Sequence, residues 1–349
     1  MDFSHLAHRL LYVSIFQLKL KVDKTTKKFR TKDYEDFFRH LLFNNLKYIF
    51  SNKFNEWNDE IVIACDAKNN WRKDFYKEYK AHRAAGRENS DIDFNEFFAV
   101  VNDVLEALKT SFPVKVVYVD RAEADDVCGV LAKNLSKKRK VLVVSSDKDY
   151  KQVLEYDNVS LFDPIKKEFV KMTKPEVRNF KLFHILLGDS GDNVPSIKAE
   201  SEFHKDFISF LRRENIFVTE VDKFFKLQIS GMLIEKYQTE FLDKPIYKKA
   251  MFGEVGVNKF LENFEENFEK LPEICKSNFE RNKVLIDFDY IPEDIQKAIL
   301  EEYSKAEAHY DSKGMMDYFL AHNLNEMFEN LSTFYVKPVE KEDTTLDDF

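Results

Sequence analysis

Nine acidic side chains fall in five short clusters: Asp2 in MDFSH, Asp66 in IVIACDAK, Glu123, Asp125 and Asp126 in EADDV, Asp147 and Asp149 in VLVVSSDKDY, and Asp189 and Asp192 in LLGDSGDN. Each cluster lies where a strand-like run ends or a helix begins, and open α/β sheets build their sites at the carboxyl ends of their strands. Carboxylates converging on one spot repel each other unless cations lie between them. Hard divalent cations with oxygen ligands, Mg²⁺ above all, suit such a set. Asp147 and Asp149 bracket one residue and can aim at a common point. Glu123 and Asp126, three apart, share a helix face, whereas Asp125 joins them only if that turn is irregular. Asp189 and Asp192 lie around a glycine, where the backbone can turn tightly. Two ligand groups with shared members fit two Mg²⁺ ions ~4 Å apart, the arrangement that supports in-line displacement at phosphorus.

The elements that must position these carboxylates are legible in outline. IVIAC (61–65), VKVVYVD (114–120) and KVLVVSS (140–146) read as buried strands, and NVSLFDP with KEFVK as a hairpin around Pro164. Helical periodicity covers 34–51, 94–110, 123–135 and 173–187, the last with Pro175 in its first turn. The basic, aromatic segment 71–83 reads as helical without a clean apolar stripe. Strands alternating with helices to about residue 190 predict an α/β fold with a doubly wound, mostly parallel sheet. Beyond Asp192 the pattern is nearly all helix. The expected organisation is a catalytic α/β domain over 1–187, a helical domain over 188–335 and an acidic, disordered tail over 336–349.

Composition bounds the class. The chain has 349 residues, 44% hydrophobic and 33% charged, which is ordinary for a folded soluble protein. Its 34 Phe residues speak to core packing more than to mechanism, and three scattered cysteines exclude a disulfide framework or a zinc site. No membrane-spanning run or secretory signal is visible, so a cytoplasmic protein is expected. The net charge of −8 argues weakly against nucleic-acid binding, but placement matters more than the sum. Between Lys68 and Arg87, seven basic residues (Lys68, Arg72, Lys73, Lys77, Lys80, Arg83, Arg87) face two acidic ones, Asp74 and Glu78. Interleaved aromatics make this stretch a candidate nucleic-acid contact. The histidines, including His5, His82 and His184, show no ligand spacing and read as structural or exposed.

The ordered set DFS, CDAK, WRKDFYKEYKAHR, EADD, SSDKDY and LLGDSGDNV resembles the 5′-nuclease family of flap endonucleases and 5′→3′ exonucleases. VLIDFDYIP (284–292) extends the likeness to the ribonuclease H branch of that family from T-even bacteriophages, so it covers nearly the whole chain. No single motif is specific, but the ordered set with the basic segment in its slot is. The resemblance implies a PIN-like 5′-nuclease fold and metal carboxylates at Asp2, Asp66, Glu123, Asp125, Asp126, Asp147, Asp149 and Asp192, with Asp189 beside them. It places Tyr79, Lys80 and Arg83 at the base of a helical arch, the two cations holding the scissile phosphate and Tyr79 and Trp71 stacking on unpaired bases. Arg72, Lys73, Lys77, Arg87 and Lys198 complete the expected nucleic-acid contacts.

The implied activity is Mg²⁺-dependent removal of RNA primers and adjoining DNA from lagging-strand fragments, with two ions and Mn²⁺ as a substitute. The implied partners are RNA–DNA hybrid, flapped or nicked duplex DNA, a single-stranded-DNA-binding protein and a sliding clamp, for a monomer in a host cell's cytoplasm. Two departures from the family pattern stand out. Asp2 directly follows Met1, where relatives carry a longer apolar strand, so either the native start lies upstream or Asp2 is weakly supported. The segment AESEFHKDFI replaces a Gly-Ile-Gly hairpin, which moves the duplex grip to side chains such as Lys198, Lys205, Arg212 and Arg213 and leaves no expected K⁺ site. Rival readings are a junction-binding protein without catalysis, which predicts broken carboxylate clusters, and an aspartyl phosphatase-like hydrolase, in which the basic segment has no role.

Overall fold

The computed structural model describes residues 1–50, 60–197, 254–271 and 273–334. These form two compact units: one of described residues within 1–77, 81–177 and 291–334, the other of described residues within 78–80 and 178–290. Lys198, Lys205, Arg212, Arg213, the segment 199–208 and the acidic tail lie outside the described residues.

The first unit begins with helix α1 (Phe3–Gln17) and helix α2 (Glu35–Ile49). Strand β1 (Val62–Cys65), the short helices α3 (Trp71–Phe75) and α4 (His82–Glu88), and the long helix α5 (Phe94–Ser111) follow. Next come β2 (Lys115–Tyr118), α6 (Ala124–Leu135), β3 (Val141–Val144), a 3-10 turn over Lys148–Glu155, and the pair β4 (Val159–Asp163) and β5 (Glu168–Val170). Helix α7 (Lys174–Leu187) contains the boundary between the units.

β1 pairs with β2 and β3 with β4, both in parallel, and β5 closes the edge antiparallel to β4. Two residues, Met1 and Asp2, join the two sheets. The Met1 amino group donates to Val62 O at 2.7 Å, Ala64 N donates to Met1 O at 2.9 Å, and Asp2 N reaches Val144 O at 3.4 Å. Met1–Asp2 therefore acts as a minimal strand between β1 and β3, in a parallel bridge to Ala64. The resulting order is β2-β1-(Met1–Asp2)-β3-β4-β5, and the parallel strands share one carboxyl edge. The hairpin expected around Pro164 is present, with Asp163 Oδ1 accepting from Ile165 N at 2.8 Å and Lys166 N at 3.2 Å.

The helices form where local chemistry favours them. Asp2 caps α1 by accepting from His5 N at 2.9 Å, and Asp93 caps α5 by accepting from Asn95 N at 3.0 Å and Glu96 N at 3.1 Å. Each such cap stabilises by about 1 kcal/mol. α5 buries Phe97, Val101, Val104 and Leu108 at helical spacing into a core shared with Phe38, Leu42, Phe43 and Leu46 of α2. Helix α1 is amphipathic too, a helix that the sequence pattern above did not identify. The segment expected as one helix over 71–83 is instead two short helices, interrupted at 76–81, where Lys80 adopts φ 52°.

The second unit contains, among its described residues, α8 (Glu254–Leu261), α9 (Phe264–Glu269) and α10 (Glu273–Ile286). Phe264, Phe268 and Phe279 stack at ring distances of 4.9–6.1 Å, joining α9 to α10. α11 (Glu293–Lys305) and α12 (Ser312–Ala321) then belong to the first unit. The expected helical domain over 188–335 therefore does not coincide with a compact unit. The reason is aromatic packing: Phe319 lies 5.2 Å from Phe43 and 5.8 Å from Phe112, and Phe334 lies 5.5 Å from Phe112. Burying a phenylalanine side chain stabilises by about 1.5–3 kcal/mol. All three cysteines are free and buried, and no helix among the described residues is long and apolar enough to cross a membrane.

Candidate metal centre and nucleic-acid interface

The shared carboxyl edge of the first unit gathers Asp2, Asp66, Glu123, Asp125, Asp147 and Asp149. Asp2 is buried, with Oδ1 accepting from His5 N and Oδ2 accepting from the Tyr150 hydroxyl at 3.0 Å. Asp66, just past β1, accepts from Ala124 N at 2.8 Å, and its own N–H donates to Ser4 Oγ at 2.9 Å. The first bond ties the end of β1 to the start of α6, which carries Glu123 and Asp125. Asp125 is half-buried and acts electrostatically on Tyr150, the partner of Asp2. Past β3, Asp147 accepts from Asp149 N at 3.1 Å, and its Oδ2 lies 3.7 Å from His5 Nδ1. Asp2, Asp66, Asp125, Asp147 and Asp149 are thus linked through shared neighbours, and Glu123 opens the same helix as Asp125. The short Met1–Asp2 strand supports Asp2 through main-chain bonds on both sides, so the expected weak support is not found.

This donor set fits a hard cation. The Asp2 carboxyl is pushed up to about 6, first by burial and then by the neighbouring Asp66 charge, while His5 N–H, the His5 ring and Tyr150 pull it down. Two carboxylates that penalise each other's ionisation, offering only oxygen, form the environment that a divalent cation relieves.

Asp126 has a different place. It is fully buried; Oδ2 accepts from Trp71 Nε1 and Arg72 Nη1, each at 3.0 Å, and from Glu123 N at 2.9 Å. Arg72 Nη2 lies 2.7 Å from Asp126 Oδ1, and Nη1 donates to Glu123 Oε2 at 3.1 Å. Asp126 therefore anchors the start of α6 and the buried Arg72, which corrects its assignment as a metal ligand. Trp71 and Arg72 are only 3% and 1% exposed, so neither can stack on bases or touch phosphates, and both leave the expected nucleic-acid contacts.

The other cations of the basic segment fare better. Lys73, Lys77, Arg83 and Arg87 are exposed. Burial pushes the His8 imidazole below its usual range, and the charges of Arg87 and Arg83 push it further down while Asp66 opposes them. The guanidinium groups of α4 are therefore within electrostatic range of His8 on α1, as is Asp66. The Arg87 guanidinium also lies 5.8 Å from the Phe94 ring and 5.7 Å from that of Phe98.

Within the second unit, Asp189 and Asp192 organise a turn. Asp189 accepts from His184 Nε2 at 2.9 Å and Gly191 N at 2.7 Å, and its main chain pairs with Val194. Asp192 accepts from the Tyr79 hydroxyl at 2.9 Å and lies 3.5 Å from Lys80 Nζ. Lys80 N donates to Asp192 O at 2.9 Å, and Asn193 Nδ2 donates to Glu78 O at 2.8 Å. Residues 78–80 are thereby clipped onto the 189–193 turn. Tyr79 is 1% exposed, so it is a clip rather than a stacking platform.

A family model described as the 5′-3′ exonuclease, N-terminal resolvase-like domain matches residues 1–180, just over half of the chain. The chain belongs to the 5′–3′ exonuclease family. A second model, T4 RNase H, C terminal, matches residues 254–334. The chain is 29% identical over 299 residues to the ribonuclease H of Enterobacteria phage T4, covering 85% of this chain and 86% of that protein. It is also 29% identical over 144 residues to a 5′-3′ exonuclease of Buchnera aphidicola, 39% of this chain and 47% of that protein. Among solved structures, the T5 D15 protein co-crystallised with metal ions aligns with a TM-score of 0.47 at 17% identity, over 79% of this chain and 92% of that one.

As a 5′–3′ exonuclease family member the chain is a nuclease, and its fold is the α/β 5′-nuclease one that the resemblance implied. Four site residues escaped the sequence reading. His5, read as structural, bridges from α1 to Ser146 Oγ at 2.9 Å beside Asp147. Ser4 holds the Asp66 backbone, Tyr150 holds Asp2, and His8 feels the charges of Arg83 and Arg87. Ser4 and His5 follow Asp2 within one helical turn, a signal visible once α1 is recognised as a helix. Tyr150 follows Asp149 directly but carries no mark that distinguishes it from a core tyrosine.

Proposed function

We propose that this 5′–3′ exonuclease family member is a Mg²⁺-dependent nuclease with exonuclease, flap endonuclease and ribonuclease H activity. In this reading it removes RNA primers and adjoining DNA from lagging-strand fragments, acting as a monomer on RNA–DNA hybrids and flapped or nicked duplexes. The observation that carries it is the carboxylate edge at Asp2 and Asp66, where burial and mutual repulsion raise the Asp2 carboxyl to about 6. The T4 relative's name, ribonuclease H, supports the choice of substrate.

Asp2, Asp66, Glu123, Asp125, Asp147 and Asp149 are the proposed cation-holding groups, and Mn²⁺ is the proposed substitute for Mg²⁺ by donor chemistry. When bound, two divalent cations supply a water of lowered pKa and offset charge on the phosphoryl oxygens during in-line displacement. Tyr150 and His5 N–H orient Asp2, and Ser4 with Ala124 N orients Asp66, so the carboxylates are held before substrate arrives. Lys80 and Arg83 each offer a cation to substrate phosphates, and Lys73, Lys77 and Arg87 offer exposed cations along the backbone. A single-stranded-DNA-binding protein and a sliding clamp are proposed partners, and the host cytoplasm the proposed location.

The test is Asp147→Asn assayed with Mg²⁺ on a 5′-labelled RNA–DNA hybrid. Loss of at least ~100-fold in rate is expected. Full retained activity would overturn the metal assignment, and binding without cleavage by the unmodified protein would favour the junction-binding reading.

A further inference from the structure

A second cationic surface lies outside the basic segment already described. Between Lys19 and Lys32 the chain carries Lys19, Lys21, Lys24, Lys27, Lys28, Arg30 and Lys32 against the single acid Asp23. The loop is ordered by its own bonds. Asp23 Oδ1 accepts from Thr25 N and Thr26 N at 2.9 Å each, Asp23 N donates to Lys28 O at 2.8 Å, and Lys27 N donates to Asp23 O at 2.9 Å. Asp23 is thus committed to the turn, and Arg30 pairs with Asp33 at 2.8 Å. Lys19, Lys21, Lys24, Lys27 and Lys32 are exposed, and no ion pair among the described residues engages their ammonium groups.

The loop is tied to the segment that follows α4. Phe29 N donates to Asp91 O at 2.7 Å, Phe29 bridges Ile92, and Lys28 Nζ bonds Ser90 O. α4, with exposed Arg83 and Arg87, ends two residues before Ser90. Next to the loop, the last turns of α1 expose Tyr12 and Phe16, 55% and 83% accessible, on one helix face. Unneutralised cations beside exposed aromatic rings are the surface that binds single strands: the cations track phosphates and the rings take unstacked bases.

We propose that the Lys19–Lys32 loop, with Tyr12 and Phe16, binds a single-stranded nucleic-acid arm of the substrate beyond the α4 cations. This rests on the nuclease reading above and names a further contact for the same substrate. A single strand is favoured over a duplex because rings at Tyr12 and Phe16 gain nothing from a paired, stacked helix. It is favoured over an acidic protein because the loop joins the segment directly following α4.

The test uses the full chain with Lys21, Lys24 and Lys32 changed together to Gln, leaving Lys19 and Lys27, whose φ angles of 51° and 58° make them conformationally sensitive. Steady-state cleavage is measured with Mg²⁺ on 5′-armed duplexes bearing arms of about 4 and about 15 nucleotides. For the long arm, KM should rise on the order of ten-fold and the slope of log affinity against log salt should fall by about 2, about 0.7 per cation. For the short arm the rise should stay below about two-fold. Tyr12→Ala with Phe16→Ala should raise KM for the long arm selectively as well. An equal rise on both arms overturns the single-strand assignment in favour of duplex contact. Unchanged KM and salt slope overturn the inference and leave the lysines to an acidic protein surface. If the unmodified protein cleaves neither substrate, the nuclease reading itself fails; if it cleaves both and the variants match it, only this inference does.

Discussion

The Tyr150 hydroxyl donates to Asp2 Oδ2 at 3.0 Å, joining the 3-10 turn after β3 to the second residue of the chain. Tyr150 is itself buried, and burial beside the Asp2 charge pushes its own hydroxyl well above the ordinary phenol range. It therefore remains a donor at every working pH and holds one Asp2 oxygen in place.

Tyr150→Phe removes that donor while keeping the ring. Stability should fall by about 1–3 kcal/mol in urea denaturation, because a buried carboxylate oxygen loses its partner. The Mg²⁺ concentration for half-maximal cleavage should rise as well. An unchanged Mg²⁺ dependence would show that Tyr150 does not position Asp2 for the cation.

Asp2 should also shape the stability of the metal-free protein against pH. Its folded carboxyl titrates at about 6 against an ordinary 3.8, so between these values the folded state binds more protons than the unfolded one. Stability therefore falls as pH rises through roughly 4 to 6, and the charged form costs on the order of 3 kcal/mol above that window. In chelator, Asp2→Asn should be more stable than the unmodified protein at pH 7, with the gap closing toward pH 4. A gap independent of pH would refute the raised carboxyl.

Arg72 is expected to matter for folding rather than substrate affinity. Arg72→Met leaves Asp126 buried without its cation and should cost about 3–5 kcal/mol in denaturant unfolding. At a temperature where the variant stays folded, KM for flapped DNA should move little. A large KM change with normal stability would restore Arg72 to the nucleic-acid surface.

Gly188 sits at φ 77°, and a Cβ there would lie 2.3 Å from Val194 O. Gly188→Ala should therefore destabilise by at least about 2 kcal/mol, through left-handed strain and displacement of the Asp189–Val194 pairing. Hydrogen exchange at Asp189 N and Val194 N should report the loss. Unaltered protection at both amides would show that the turn absorbs the methyl group.

The sequence by itself determined the alternation of strands and helices, the order of the acidic clusters and the family. Strand runs such as VIAC and VLVV, and carboxylates just after them, are local patterns, and local patterns survive without knowledge of packing. Only the tertiary structure separated the carboxylates by role. Glu123, Asp125 and Asp126 are neighbours in one motif, yet Asp126 turns inward to Arg72 and Trp71 while Asp125 is only half-buried. Nor could spacing reveal that two residues, Met1 and Asp2, complete a sheet, because their partners Val62 and Val144 lie 61 and 142 positions away. The basic segment divided in the same way: Trp71, Arg72 and Tyr79 are buried by partners distant in sequence, while Lys73, Lys77, Arg83 and Arg87 remain exposed. Residue type sets what a side chain can do; burial and long-range partners, which the fold alone supplies, decide whether it does so.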